Sequence, residues 1–323
     1  MARKKFSAEG PSSGQGLVSS SHTVRMRGGG TVKLEARPQS VRKGERDLEI
    51  ADAKRRILNR LPIQEGKIRS LIKEGMARAE EVFFEADRGR NRSTGSLRPS
   101  EATRVAREVE AVVRSTVQGL RDVVLENMER SVKTYLIGVR RSLPDRDRLP
   151  MSVINDLARR KALEAYGRPT GASRVTTSQR IATLGGRMET ELLKLVNVGM
   201  LERIKRQRAL KRTLVDPKGS SRFCMAKGIA RINRTEQNRA MQDATVEAAL
   251  RAGVTLFYWR LSSAHKSYGG SEVCEVLSTS TGYDVESLIP QSFSGSLRGL
   301  YTQTSLPEMP HPNCMCSIEP FTT

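Results

Sequence analysis

At 323 residues the chain is long enough for two compact units. Apolar residues make up 37% and aromatics only 4%, with Trp259 the single tryptophan, which excludes a generous aromatic core. A formal net charge of +21 selects an anionic partner, nucleic acid ahead of an acidic protein surface or an anionic membrane, and no apolar run approaches the ~18 residues of a spanning helix.

Residues 1–45 combine Gly/Ser-rich stretches such as Gly28-Gly29-Gly30 with Arg3, Lys4, Lys5, Arg25, Arg27, Lys33, Arg37, Arg42 and Lys43 against Glu9, Glu35 and Glu45. Such sequence cannot bury enough apolar surface to offset its chain entropy and reads as a flexible basic arm, whose alternation around Val32 and Leu34 also suits a short strand laid on a partner subunit. From Asp47, the residues Leu48, Ile50, Ala53, Ile57 and Leu61 recur at three- and four-residue intervals and predict a helix that Pro62 interrupts, with a second helix over Ile68–Ala86. Residues 87–99 lack periodicity, and Ser100 is the expected N-cap of the longest helix, Glu101–Ser142, whose stripe runs through Val105, Val109, Val112, Leu120, Val124, Met128, Val132, Leu136 and Val139. Pro144 ends it, and hinges are expected at 144–150 and 167–173.

The next helical region, Ser178–Leu214, is expected to break at Gly185-Gly186. It ends in Arg203, Lys205, Arg206, Arg208, Lys211 and Arg212, which at ~100° per residue surround the helix and predict a segment directed into solvent or an anionic partner. Ser220-Ser221 then caps a helix that runs through Ala252 to Gly253 at the C′ position. Its apolar line of Met225, Ile229, Ile232, Ala240, Ala244 and Ala248 shares a face with Glu236, so that glutamate must be paired or hydrogen-bonded. The strand Val254–Leu261 is apolar on both sides, as in a small sheet covered by helices.

Four cysteines, 224, 274, 314 and 316, in a chain that opens without an apolar leader segment read as reduced thiols, and three of them in the last fifty residues point to metal binding. Acid/base candidates are few. The histidines are His22, His265 and His311, and a Cys274/His311 or Cys314/His311 nucleophile pair can be drawn but has no spacing signature.

Three segments carry a resemblance: the helix with Arg234-Thr235-Glu236-Gln237-Asn238, the strand ending Trp259-Arg260, and the terminal His311-Pro312-Asn313-Cys314-Met315-Cys316. In this order and at these distances they resemble the C-terminal domain of tailed-phage minor head proteins, the Mu F-like head morphogenesis family, over about residues 180–320. Arg234, Thr235, Glu236 and Asn238 inherit that family's Arg-Ser/Thr-Glu element, and the resemblance implies that Glu236 pins its helix to the following strands, with a catalytic role as the alternative. Some members carry Cys-x-x-Cys at the first cysteine position, where Ser271 stands here. Cys274, His311, Cys314 and Cys316 remain as a set for one zinc, closed and without a catalytic position, or as a metal-free clasp, with His265 to spare.

The expected fold is a predominantly α-helical α+β protein: a basic arm (1–45), an elongated helical region (46–175) and a compact Mu F-like domain with a small β-sheet (176–323). The resemblance implies a virion component and not an enzyme, a minor capsid protein assembled in the host cytoplasm and lodged inside the head near the portal. Portal or major capsid protein and phage genomic DNA would be its partners, with no membrane. The DNA would be held nonspecifically by Arg3, Lys4 and Lys5 and by Arg203, Lys205, Arg206, Arg208, Lys211 and Arg212. Two other readings stay open: a stand-alone nucleic-acid-binding protein, favoured by charge, and a metal-dependent nuclease or cysteine enzyme built on the C-terminal donors.

Overall fold

The two longest apolar stripes in the sequence become the two longest helices, α1 (Glu45–Asp87) and α2 (Pro99–Ser142), about 65 Å each at 1.5 Å per residue. The computed structural model describes residues 21–25, 31–35, 45–88, 97–167, 175–216, 224–254, 256–262, 278, 283–284 and 316–320. The described elements in chain order are β1 (Ser21–Arg25), β2 (Thr31–Glu35), α1, α2, α3 (Met151–Gly167), α4 (Thr177–Leu193), α5 (Met200–Val215), α6 (Met225–Arg251), β3 (Leu256–Arg260), β4 (Tyr283–Asp284) and β5 (Ser317–Pro320). None of these helices is long and apolar enough to cross a membrane.

Helices α1 and α2 run antiparallel, since Arg60 reaches Thr134 while Arg78 reaches Ser115 and Thr116. Their seam buries Ile57, Ile68, Ile72, Met76 and Phe83 from one helix and Val109, Leu120, Val124 and Leu136 from the other. The expected break at Pro62 does not occur, and α1 passes straight through it. Pro62 is exposed, so its missing N–H lies on the solvent side, while Ile57 and Ile68 on either side of it are buried. Burying two isoleucines, at ~1.5–3 kcal/mol each, offsets the ~3 kcal/mol cost of an internal proline. Helix α2 also begins before the expected Ser100: Pro99 occupies its first turn, and Glu101 accepts from the Arg98 backbone N–H at 3.2 Å.

Helix α2 is the axis of the bundle, packed against α1, α3, α4 and α6. Gly185 does not break α4. A Cβ at that position would come within 2.2 Å of Val117 Cγ2, so the glycine lets α4 settle on α2, and the chain breaks at 194–199 instead. At the other end of α4, Thr176 and Gln179 form a capping box. Helix α6 begins one turn after the expected Ser220-Ser221, which lie outside the described residues, with Cys224 as N-cap: its sulfur accepts from Lys227 N at 3.4 Å and its thiol donates to Asp216 O at 2.9 Å. The α6 terminus matches its sequence signal, with Gly253 at φ 76° and Gly253 N and Val254 N returning to Leu250 O and Ala249 O.

Strand β3 is central, antiparallel to both β4 and β5, with Trp259 opposite Ile318 and Phe257 opposite Pro320. Strand β5 is buried throughout and lies on α6. Strands β1 and β2 pair with each other, Val24 opposite Val32, so the alternation around Val32 finds its partner within the chain. One apolar cluster runs from Ile50 to Ala248, so the boundary expected near residue 175 does not divide the core. At its coarsest the expected fold class is what is seen: a predominantly helical chain with little sheet.

Candidate functional site

Helix α6 is buried on nearly every side, and much of what it buries is polar: Asn233, Glu236, Gln237, Asn238, Arg239, Gln242, Asp243 and Thr245. A helix of that composition is stable inside a bundle only if its neighbours supply partners, because each orphaned polar group costs ~1–3 kcal/mol. Asn233 and Gln237, one turn apart, both donate to Gln64 Oε1 of α1, at 3.1 and 2.8 Å. From α2, Asn127 donates to Asn233 Oδ1 at 3.4 Å and Ser131 to Gln237 Oε1 at 2.9 Å. On another side, Asn238 and Gln242 both donate to the Cys316 carbonyl at the start of β5, at 3.0 and 3.1 Å. Two i, i+4 amide pairs thus bind the helix to the α1–α2 hairpin and to the C-terminal strand.

Glu236 is fully buried between Arg180 of α4 at 3.4 Å and Arg239 at 3.5 Å, so it ties α6 to α4 and not, as expected, to the following strands, a contact made instead by Asn238 and Gln242. Burial pushes its pKa above 4.5, opposed by Arg239 and Arg180. Arg234 reaches Glu65 of α1 at 3.5 Å, Thr235 is half-buried, and Trp259 is buried in the central strand with no hydrogen-bond partner for its indole N–H among the described residues.

A second polar knot lies beneath the sheet. Glu319 of β5 is fully buried and receives Arg260 Nε at 2.8 Å, the Tyr258 hydroxyl at 2.8 Å and Ser317 Oγ at 3.2 Å. Lys54 of α1 donates to Ser317 Oγ at 2.8 Å, and Tyr135 of α2 donates to the Ile318 carbonyl at 3.3 Å. Burial pushes Glu319 up from 4.5 against the pull of Arg260 and Lys54, and burial followed by the nearby Glu319 charge holds Tyr135 well above its ordinary value. Sequence reading overlooked Gln64, Asn127, Ser131, Lys54, Tyr258, Arg260 and Glu319. Its available signal was local: Gln64 and Asn127 interrupt otherwise apolar stripes, and Ser317 and Glu319 alternate on one face of a strand.

Of the expected zinc donors, Cys274, His311 and Cys314 lie outside the described residues, and Cys316 is a fully buried thiol. Among the described residues no group of three His, Cys, Asp or Glu is placed to hold a metal ion.

The basic end of α5 is sorted by its neighbours, which corrects the expectation of a cationic ring open to solvent. Arg203 turns inward and is only 1% exposed. Both Asp87 oxygens receive its Nη1 at 2.8 Å, Nε donates to Leu195 O at 2.9 Å, Nη2 donates to Val196 O and Val198 O, and Phe83 lies under the guanidinium at 5.3 Å. This is the residue that closes the turn between α4 and α5, so it does not belong to a surface that meets nucleic acid. Arg206 pairs with Glu202 and Lys211 with Glu80. Lys205, Arg208 and Arg212 are exposed and have no ion pair among the described residues. Their i, i+3, i+7 spacing puts them within an arc of about 60°, a stripe and not a ring. Arg3, Lys4 and Lys5 lie outside the described residues.

Compared with protein-family models, with curated proteins and with solved structures, the chain finds no match in any of the three.

Proposed function

We propose that this chain is a minor head protein of a tailed bacteriophage, similar to the Mu F-like head morphogenesis family, acting through its placement in the particle and without turnover chemistry of its own. One observation supports this above the rest: the motif helix, the Trp259 strand and Cys316, the one described residue of the terminal segment, meet in a single packed unit. Asn238 of the motif helix holds the Cys316 carbonyl, and the strand that begins there pairs with β3 so that Ile318 lies opposite Trp259. Glu236, enclosed between two arginines, suits the work of locking α6 to α4. The buried Cys316 thiol suits a C-terminal clasp shared with Cys274, His311 and Cys314, with zinc as the soft metal such a set would take.

In this reading the protein sits inside the head near the portal, touches portal or major capsid protein, and meets the packaged genome through charge. Its DNA contacts are Lys205, Arg208 and Arg212, with Arg206 and Lys211 beside them on surface pairs, and Arg3, Lys4 and Lys5 in the arm. Mass spectrometry of purified virions tests the proposal. The chain is expected there at low copy, and Cys314→Ser is expected to lower incorporation more than Glu236→Gln, whose amide keeps hydrogen-bonding capacity. Absence from virions, or a nuclease activity abolished by Glu236→Gln with the fold intact, would overturn it. The net charge of +21 favours one alternative, a stand-alone nucleic-acid-binding protein, which would bind DNA yet be missing from particles.

A further inference from the structure

Helices α1 and α5 run antiparallel, with Arg203 on Asp87 at one end of their seam and Lys211 on Glu80 at the other. The seam opens into a groove of about 490 Å3, within the ~300–1,000 Å3 typical of small-ligand sites. Those two ion pairs fix its walls and cancel four of its six charged groups. Glu81 of α1 and Arg208 of α5 remain, both exposed and without an ion pair among the described residues, so the groove is close to neutral. Its apolar lining comes from Ala77 and Phe84 of α1 and from Met200 and Ile204 of α5. Phe84 is 59% exposed although Arg88 covers one face of its ring at 5.5 Å, and Leu201, 78% exposed, carries the apolar surface round to the outer face of α5. Gln207 also borders the groove. It is only 6% exposed, and its buried Nε2 has no hydrogen-bond partner among the described residues, a costly state that an acceptor brought into the groove would relieve.

Arg208 belongs both to this groove and to the stripe it forms with Lys205 and Arg212. The stripe therefore runs along the lip of the groove, over about 10 Å of helix axis. A neutral slot with an exposed aromatic ring and an unmatched donor suits a base, and cations along its lip suit the phosphates on either side of that base. A peptide side chain would fill the same slot but leave the lip cations unmatched. We infer that the groove seats one unpaired base of a single nucleic-acid strand whose phosphates lie on Lys205, Arg208 and Arg212. The base packs against Phe84 and Ile204, and a ring nitrogen or carbonyl oxygen, which every base carries, accepts from Gln207 Nε2. In a duplex the bases are stacked and paired, so the stripe alone holds it, through phosphates. The inference rests on the nucleic-acid contact proposed for the α5 stripe and not on placement in a virion.

The test uses the full chain and fluorescence anisotropy of three labelled probes of equal length: a single-stranded oligonucleotide, the same strand made abasic, and a duplex. The parent is expected to hold the base-bearing strand about tenfold more tightly than the abasic one. Phe84→Ala is expected to remove most of that difference and to leave abasic-strand and duplex affinities within about twofold, while Phe84→Trp, which keeps a stacking face, retains it. Gln207→Leu is expected to weaken the base-bearing strand alone, about fivefold, with a melting temperature no lower than the parent's, because the substitution removes an orphaned donor. Ile63→Ala, at an exposed apolar position further back along α1, is expected to change none of the three affinities. Equal affinity of the parent for base-bearing and abasic strands, equal loss of all three probes in Phe84→Ala, or no binding of any probe overturns the base site. The triple variant Lys205→Ala, Arg208→Ala and Arg212→Ala separates this inference from the reading beneath it. Undiminished binding of every probe by that variant removes stripe and groove together, whereas weakened binding of all three, with no effect of Phe84→Ala, removes the groove alone.

Discussion

Asp87→Ala isolates the energetics of an arginine that the fold has taken out of water. Arg203 is 1% exposed and its carboxylate partner 9%, with both Asp87 oxygens 2.8 Å from Nη1. Removing the carboxylate leaves a buried guanidinium facing only the carbonyls of Leu195, Val196 and Val198. Breaking a buried pair on one side costs ~3–5 kcal/mol, and the partial exposure of Asp87 places this case near the lower end. With a urea m-value of ~3 kcal/mol/M, the unfolding midpoint followed by circular dichroism at pH 7 should fall by about 1 M. Glu202→Ala, which strips the exposed Arg206 of its partner, should leave the midpoint nearly unchanged in the same assay. The double variant Arg203→Met, Asp87→Leu should recover only part of the loss, because the three carbonyls still lack their donor. An Asp87→Ala midpoint indistinguishable from that of Glu202→Ala would mean that Arg203 is solvated, and the reasoning that removes it from the DNA-facing set would fail with it.

Other expectations follow from the same geometry. Glu247 is pushed up by burial, but hydrogen bonds from Arg160 and Lys161 outweigh that and hold it at about 2. Its stabilisation is therefore present above the ordinary 4.5 and lost as pH falls from 4.5 towards 2, and Glu247→Gln should remove about 1 kcal/mol at pH 7, after allowance for solvent screening, and little at pH 2 by urea titration. Glu236 behaves in the opposite sense. Its raised value makes its contribution fully present below 4.5 and lost as pH rises through the folded value, so Glu236→Gln should compare more favourably with the parent at pH 7.5 than at pH 4.5. Substituting Lys205, Arg208 and Arg212 by alanine should flatten the dependence of log affinity for duplex DNA on log salt by about 2.7, at ~0.9 per phosphate contact, and an unchanged slope would assign the stripe to a protein partner. Gly185→Leu should cost ~1–3 kcal/mol in thermal unfolding, since even its Cβ meets Val117 at 2.2 Å.

What the sequence determined by itself was everything governed by near neighbours along the chain. The α2 stripe from Val105 to Val139, the stop at Gly253 and the burial of Glu236 on the inward side of α6 all follow from helical period and from one glycine with φ 76°, whereas the strand around Trp259, expected to be apolar on both faces, buries Phe257 and Trp259 on one and turns Tyr258 and Arg260 to Glu319 on the other. Tertiary structure decided the fate of residues whose partners are remote. Pro62 looked like a terminator because a proline's local cost is plain, while the packing that offsets it comes from the surrounding helices. Gly185 looked like a hinge, yet it is a contact point with Val117. The six cations of α5 looked equivalent, and only the positions of Asp87, Glu80 and Glu202 separate the buried Arg203 from the paired Arg206 and Lys211 and the exposed Lys205, Arg208 and Arg212. Lys54 finds Ser317 across 263 residues and Gln64 finds Gln237 across 173, so no periodicity could announce either contact. Hydrophobic period is a property of one element, whereas whether a buried polar group is satisfied is a property of pairs of elements, and that is settled only when the bundle closes.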